Sequence, residues 1–152
     1  MVKAIPDGYE AVTPYIIVDG ASAAIDFYVS VFGAVELFRI AAPGGRIGHA
    51  EVRIGGGVVM LADPHPEMGA VAPVKGAGSA YTLMFYCPDV DAVVAKAEAA
   101  GAEVRSPAED KFYGDRMATL ADPFGHVWHV STHIEDVDPE ELSRRAAAMY
   151  GG

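Results

Sequence analysis

The feature that most constrains this chain is a repeat. Thr13-Pro14-Tyr15-Ile16-Ile17-Val18 reads as a strand, a helical stripe follows at residues 25, 28, 29 and 32, and three strand-like runs come next at 34–40, 46–54 and 58–62. The order then begins again. Residues 81–86 form a strand, Val90, Val93, Val94 and Ala97 form a helical stripe, and three strands run from Glu103 onward, at 115–120 and at 126–132. Strand, helix and three strands, twice over, is an α+β pattern. Neither copy could bury both its sheet face and its helix face alone, so the two are expected to pack on one another.

The punctuation agrees with this reading. Asp19-Gly20 breaks the first strand, with Asp19 or Ser22 available to cap the helix, and Gly33 stands where a left-handed terminus is wanted. Pro43-Gly44-Gly45 and Gly55-Gly56-Gly57 separate strands. Asp89 is a good N-cap for the second helix, which Gly101 ends. Asp63 to Ser79 is rich in Pro, Gly and Ala, lacks periodicity and reads as a linker, with His65 solvated within it. The run from Asp138 through Pro139, Glu140 and Glu141 to Arg144 and Arg145 has an N-cap, Pro at the first helical position and acids in the first turn. The expected organisation is one domain, 1–152, made of module one (11–64), a linker (65–78), module two (79–133) and a C-terminal helix (137–149).

Composition excludes several function classes. The chain has 152 residues and a formal net charge of −10, a surface that repels phosphate backbones, so no nucleic-acid partner is expected. No apolar run approaches the roughly 18 residues of a membrane span, and residues 1–10 lack the apolar centre of a signal peptide. The single cysteine, Cys87, makes no internal disulfide. This points to a reducing, cytoplasmic setting and to a small buried residue rather than a nucleophile.

Chemistry-bearing side chains concentrate in one hairpin. Asp122-Pro123-Phe124-Gly125 is turn chemistry between two strands, and His126, Trp128, His129 and His133 follow within eight residues. Alternation puts Val127, His129, Ser131 and His133 on one face and His126, Trp128 and Val130 on the other. If His129 lines a pocket, Trp128 belongs to the layer under the helix, and His126 reads as a turn residue satisfying backbone groups. In the strand 46–54, Ala50, Val52 and Ile54 share an apolar face and His49, Glu51 and Arg53 share the other. Glu51 with Arg53 and Asp115 with Arg116 have a plain reading as cross-strand charge pairs. There is no Gly-x-Ser-x-Gly, Walker loop or Cys-x-x-Cys, and no helix follows the triple glycine to make a phosphate cradle.

The doubled βαβββ unit, with Thr13-Pro14-Tyr15, His49-Ala50-Glu51-Val52, Tyr113-Gly114-Asp115-Arg116 and Asp122-Pro123-Phe124-Gly125-His126-Val127-Trp128, resembles the vicinal oxygen chelate superfamily over roughly residues 12–135. Those motifs look more narrowly like its PhnB-like glyoxalase/bleomycin-resistance branch. The resemblance implies that each module curls its sheet around a pocket, that paired modules complete the fold, and that the protein is a homodimer. It also implies a divalent ion in catalytic members, held by His, Gln or Glu from the first and last strand of each module. Those positions fall here on His129, on Leu61 by hairpin equivalence, on Thr13, and on Ala80 or Thr82. One imidazole does not make such a site.

Two functions remain open at this level, beside a third reading in which the pocket has lost its chemistry and the protein serves an interaction role. One is a metal-free binder of an aromatic or cationic small molecule, an antibiotic among the candidates. Its pocket would be lined by Tyr15 and Tyr113, with His49, Glu51, Arg116 and His129 as polar contacts. The alternative is a metal-dependent lyase, isomerase or resistance transferase in which a divalent cofactor sits on His49, Glu51 and His129.

Overall fold

A computed structural model describes residues 1–151. It divides into two compact units: residues 1–80 with the turn Asp122–His126, and Tyr81–Ala121 with the chain from Val127 onward. Among the described residues no helix is long and apolar enough to cross a membrane.

The first unit contains β1 (Tyr15–Ile17), α1 (Ala21–Phe32), β2 (Val35–Ala42), β3 (Arg46–Ile54) and β4 (Gly57–Ala62), in a sheet of order β1-β4-β3-β2. β1 lies parallel to β4, which a crossover helix makes possible, and the other pairs are antiparallel. Ile16, Ala50, Val52 and Leu61 are buried, as are Ala21, Ala24, Ile25, Tyr28, Val31 and Phe32 of α1. The helical stripe is therefore rotated from the expected one: Val29 is exposed, and the small residues Ala21 and Ala24 take the inner face.

The cap of α1 corrects the sequence reading. Neither Asp19 nor Ser22 caps it. The N-cap is Gly20, without a side-chain hydrogen bond of its own, and Ser22 Oγ instead accepts from Arg39 Nη1 at 3.0 Å. The capping carboxylate comes from Asp63, just past β4. Its Oδ1 accepts from Gly20 N at 2.9 Å and Ala21 N at 3.0 Å, and its Oδ2 from Ile47 N at 2.7 Å. Partial burial pushes this carboxyl's pKa up, but three backbone N–H donors and nearby Arg46 outweigh it and hold the group below the usual range. The segment after Asp63 is also more ordered than a plain linker. A short 3-10 turn occupies Pro66–Met68 and a bridge joins His65 to Ala70.

The turn Asp122–His126 is held by one carboxylate. Asp122 is buried; Oδ1 accepts from Phe124 N at 3.0 Å and His126 N at 2.9 Å, and Oδ2 accepts from the Tyr28 hydroxyl at 2.7 Å. Gly125 takes φ +96°, as the turn chemistry requires. His126 is buried, and its Nε2 is 2.9 Å from the Ile17 carbonyl oxygen, so it satisfies a backbone group as its place in the turn suggested.

The second unit repeats the order. β5 (Leu83–Tyr86), α2 (Val90–Ala99), β6 (Glu103–Asp110), β7 (Asp115–Ala121) and β8 (Val127–His133) form a sheet of order β5-β8-β7-β6. Asp89 caps α2 as expected, accepting from Ala92 N at 3.0 Å. Trp128, Val130, Ala118 and Leu120 are buried on one face of the sheet. α3 (Pro139–Tyr150) starts at the Asp138 cap, buries no residue fully, and is tied down by Arg145, which donates to Glu135, Glu141 and the Phe112 carbonyl. The β6–β7 turn needs glycine at 114. At φ +97° its carbonyl accepts from Ile134 N and Glu135 N, and a Cβ there would stand 2.1 Å from Glu135 O.

Asp63→Ala is expected to lower unfolding free energy by about 2 kcal/mol at pH 7, measured by urea denaturation. Because the folded pKa is depressed, the wild-type advantage should be present above about pH 4 and fade as pH falls through the lowered value. Gly114→Ala should cost about 2 kcal/mol or more, whereas Gly44→Ala, at φ +77° with open space around it, should cost about 1 kcal/mol. Equal urea midpoints for these two glycine variants would contradict the crowding argument.

Candidate functional site

In the first unit, alternation along β3 sends Ala50, Val52 and Ile54 under α1 and leaves His49 and Glu51 on the opposite, open face. Tyr15, Phe38 and Ile40 are all exposed, and Phe38 and Ile40 lie opposite Glu51 and His49 in the β2–β3 register. Tyr15 Oη and His49 Nδ1 are 2.9 Å apart, and His49 Nε2 and Glu51 Oε1 are 3.0 Å apart. Glu51 Oε2 accepts a short hydrogen bond from the Tyr9 hydroxyl. A carboxylate only accepts, so His49 donates to it through Nε2, and Nδ1 is left to accept the hydrogen bond of the Tyr15 hydroxyl. The result is a hydrogen-bonded line, Tyr15–His49–Glu51–Tyr9, whose carboxylate is 4 % exposed and fully partnered. The Tyr15 and Phe38 rings flank the imidazole at centroid distances of 5.4 and 5.7 Å. Burial, and then the charge of Glu51, hold the Tyr15 phenol above its ordinary pKa.

Tyr15 also borders a cavity of about 600 Å³ in this unit, lined by Ile17, Ala42, Arg46, Ala62 and His65 among others. His65 is exposed, as its place in the linker suggested, and it also borders this cavity, with its Nδ1 3.3 Å from Glu67.

In the second unit, the open face carries Thr119 and His129, paired across β7 and β8 with Thr119 Oγ1 2.9 Å from His129 Nδ1. At the far end, buried Asp115 accepts from the Tyr86 hydroxyl at 2.8 Å and meets His133 Nδ1 at 2.8 Å, while His133 Nε2 meets Asp136 at 2.8 Å. Carboxylates on both nitrogens, Asp136 and then Asp115, hold the His133 imidazole above its ordinary range. Burial pushes Asp115 up, but hydrogen bonds from His133, Tyr86 and Ser131 outweigh it and keep the acid low. Tyr113 donates to Met117 Sδ at 3.4 Å and helps line a second cavity of about 610 Å³ with Phe112, Met149 and Tyr150.

The six residues singled out from sequence are therefore not used alike. Tyr15, His49 and Glu51 stand together, and His129 and Tyr113 lie in the second unit. Arg116 is not aimed at the open face. It pairs in register with Thr132, whose hydroxyl accepts from Val90 N at the start of α2, and its guanidinium is spent on both oxygens of Asp91 and on Asp110. The expected Asp115–Arg116 pair is accordingly replaced by Asp115–His133 and Arg116–Asp91.

The hairpin equivalence used to locate Leu61 is also off by one. Leu61 is fully buried opposite Ala50, and the open-face position across from Glu51 is Met60. The β3–β4 turn is two residues long and the β7–β8 turn five, so counting from a glycine slips the register and reverses the face. Met60 is no better a ligand for a hard or borderline cation. Among the described residues no group of three or more His, Cys, Asp or Glu side chains comes together to hold a metal. His49 and Glu51 supply two donors and are bonded to each other, which does not fit the three or four convergent ligands a resident divalent ion takes.

Sequence reasoning passed over Tyr9, Phe38 and Asp136, and left Tyr86 open between pocket and core. The acids and histidines they serve were visible, but their partners are distant in the chain or sit in loops without a pattern.

An uncharacterized protein of Mycobacterium bovis is 39% identical over 145 residues, covering 93% of this chain and 95% of its own. The crystal structure of TioX from Micromonospora sp. ML1 aligns with a TM-score of 0.62 and 29% identity, over 85% of this chain and 100% of that one. A PhnB protein of Bacillus cereus aligns with a TM-score of 0.62 and 22% identity, over 81% of this chain and 99% of that one, and speaks for the fold alone. A sequence model for the Glyoxalase/Bleomycin resistance protein/Dioxygenase superfamily matches residues 10–130, and with two four-stranded sheets in repeated order this chain belongs to that superfamily.

Proposed function

We propose that this protein binds a small aromatic molecule on the open face of its first sheet and sequesters it without a metal. The observation that carries the proposal is the line Tyr15–His49–Glu51. It places a buried, fully hydrogen-bonded carboxylate amid exposed Tyr15, Phe38 and Ile40, beside the cavity that Tyr15 borders. Apolar walls supply affinity and the few polar groups supply orientation, the usual division in a small-molecule site. The bleomycin-resistance proteins of the superfamily support antibiotic sequestration as the setting, and Thr13-Pro14-Tyr15 and His49-Ala50-Glu51-Val52 support the PhnB-like branch. The same reading takes the protein to be a cytoplasmic homodimer, to be checked by light scattering of the purified chain.

The test is a thermal-shift and calorimetric screen with planar aromatic compounds, neutral and cationic. Hits should raise Tm in wild type, and Tyr15→Phe and Glu51→Gln should weaken binding by about 3- to 30-fold, the range for loss of one or two polar contacts. Stoichiometric metal in the purified protein, lost with His129→Ala, would instead favour a metal-dependent lyase, isomerase or transferase.

A further inference from the structure

Residues 1–12 form neither strand nor helix, and every one of them is exposed except Tyr9. Their other hydrogen bonds are local: Lys3 to Asp7, Tyr9 N to the Pro6 carbonyl, and the Thr13 hydroxyl to the Glu10 carbonyl. The long-range tie is the Tyr9 hydroxyl on Glu51 Oε2, across 42 positions of sequence. Glu51 has two oxygens to satisfy. His49 serves one from within the sheet, and the other is served by a residue on an otherwise solvated arm.

Such a contact is weakly held. One hydrogen bond to a charged group offsets the ordering of only a residue or two of backbone. An arm fixed through one buried-end contact belongs to the low-stability part of a fold. The Arg53 guanidinium also stands by this arm, with Nη2 3.5 Å from where a Cβ on Gly8 would lie. The group that this arm presents to Glu51 Oε2 is the neutral O–H of Tyr9, so a neutral O–H donor is what the carboxylate is matched to here.

Resting on the reading that the open face of the first sheet is the binding site, we propose that Tyr9 is an internal stand-in for the ligand. The arm lays a para-substituted phenol against Glu51, and the compound the site takes is itself a phenol, which displaces Tyr9 and donates its own hydroxyl to Glu51 Oε2. The N-terminal arm is therefore autoinhibitory: apparent affinity is reduced by the fraction of molecules in which Tyr9 occupies the carboxylate.

The experiment titrates the full chain with 4-methylphenol, with 4-methylanisole as the donor-blocked analogue and 4-methylbenzylammonium as the cationic one. Amide chemical shifts of Tyr15, His49, Glu51 and residues 1–12 are followed in wild type, Tyr9→Phe and Tyr9→Ala. In wild type, 4-methylphenol should shift the three site amides and bring residues 2–12 towards random-coil positions. In both variants its Kd should fall about tenfold. The anisole should bind at least tenfold more weakly than the phenol. Equal phenol affinity in wild type and both variants overturns the stand-in role while leaving the binding site intact. Tighter binding of the ammonium compound, or site shifts with other aromatics but none with the phenol, overturns the ligand class. Absence of site shifts with every aromatic compound overturns the underlying site as well.

Discussion

The two-residue period of the strands is the constraint on which the rest of this structure depends. In β3 it puts Ala50, Val52 and Ile54 beneath α1 and sends His49 and Glu51 the other way. In β7 and β8 it buries Ala118, Leu120, Trp128 and Val130, and leaves Thr119, His129, Asp115 and His133 on the face opposite α2. A slip of one residue in either sheet would drive a carboxylate under a helix and expose the branched residues that bury it. The apolar layer and the polar line are thus set by one choice of register.

Four buried or half-buried acids show how that polar side is organised. Asp63 and Asp122 accept mainly from backbone amides, closing the start of α1 and the turn Asp122–His126. Their donors are part of the main chain and move only if the fold does. Glu51 and Asp115 accept from a tyrosine hydroxyl and a histidine in each case. Side-chain donors can be exchanged for a ligand's without unfolding anything, so the second pair is the one with chemical freedom. This physical difference separates the structural acids from the candidate functional ones, although all four are the same type of group in the sequence.

Much of the architecture was legible from local signals. The repeat of strand, helix and three strands is observed in both units, the Asp89 and Asp138 caps are where their spacing put them, and Gly125 supplies the left-handed turn residue. The open-face grouping of His49 with Glu51 also followed from alternation alone. The failures of pairing share one cause. Asp63 capping α1, Arg116 turned to Asp91, Met60 rather than Leu61 opposite Glu51, and Tyr9 on Glu51 are pairings across long stretches of chain or across turns of unequal length.

By itself the sequence determined which segments are strands and helices, which face of the central strands is apolar, and that the unit occurs twice, because these follow from side-chain period and turn residues within a few positions. Only the tertiary structure decided which donor meets which acid. A hydrogen bond depends on an approach to about 3 Å between atoms that the chain may separate by dozens of residues, and no short-range pattern encodes that distance.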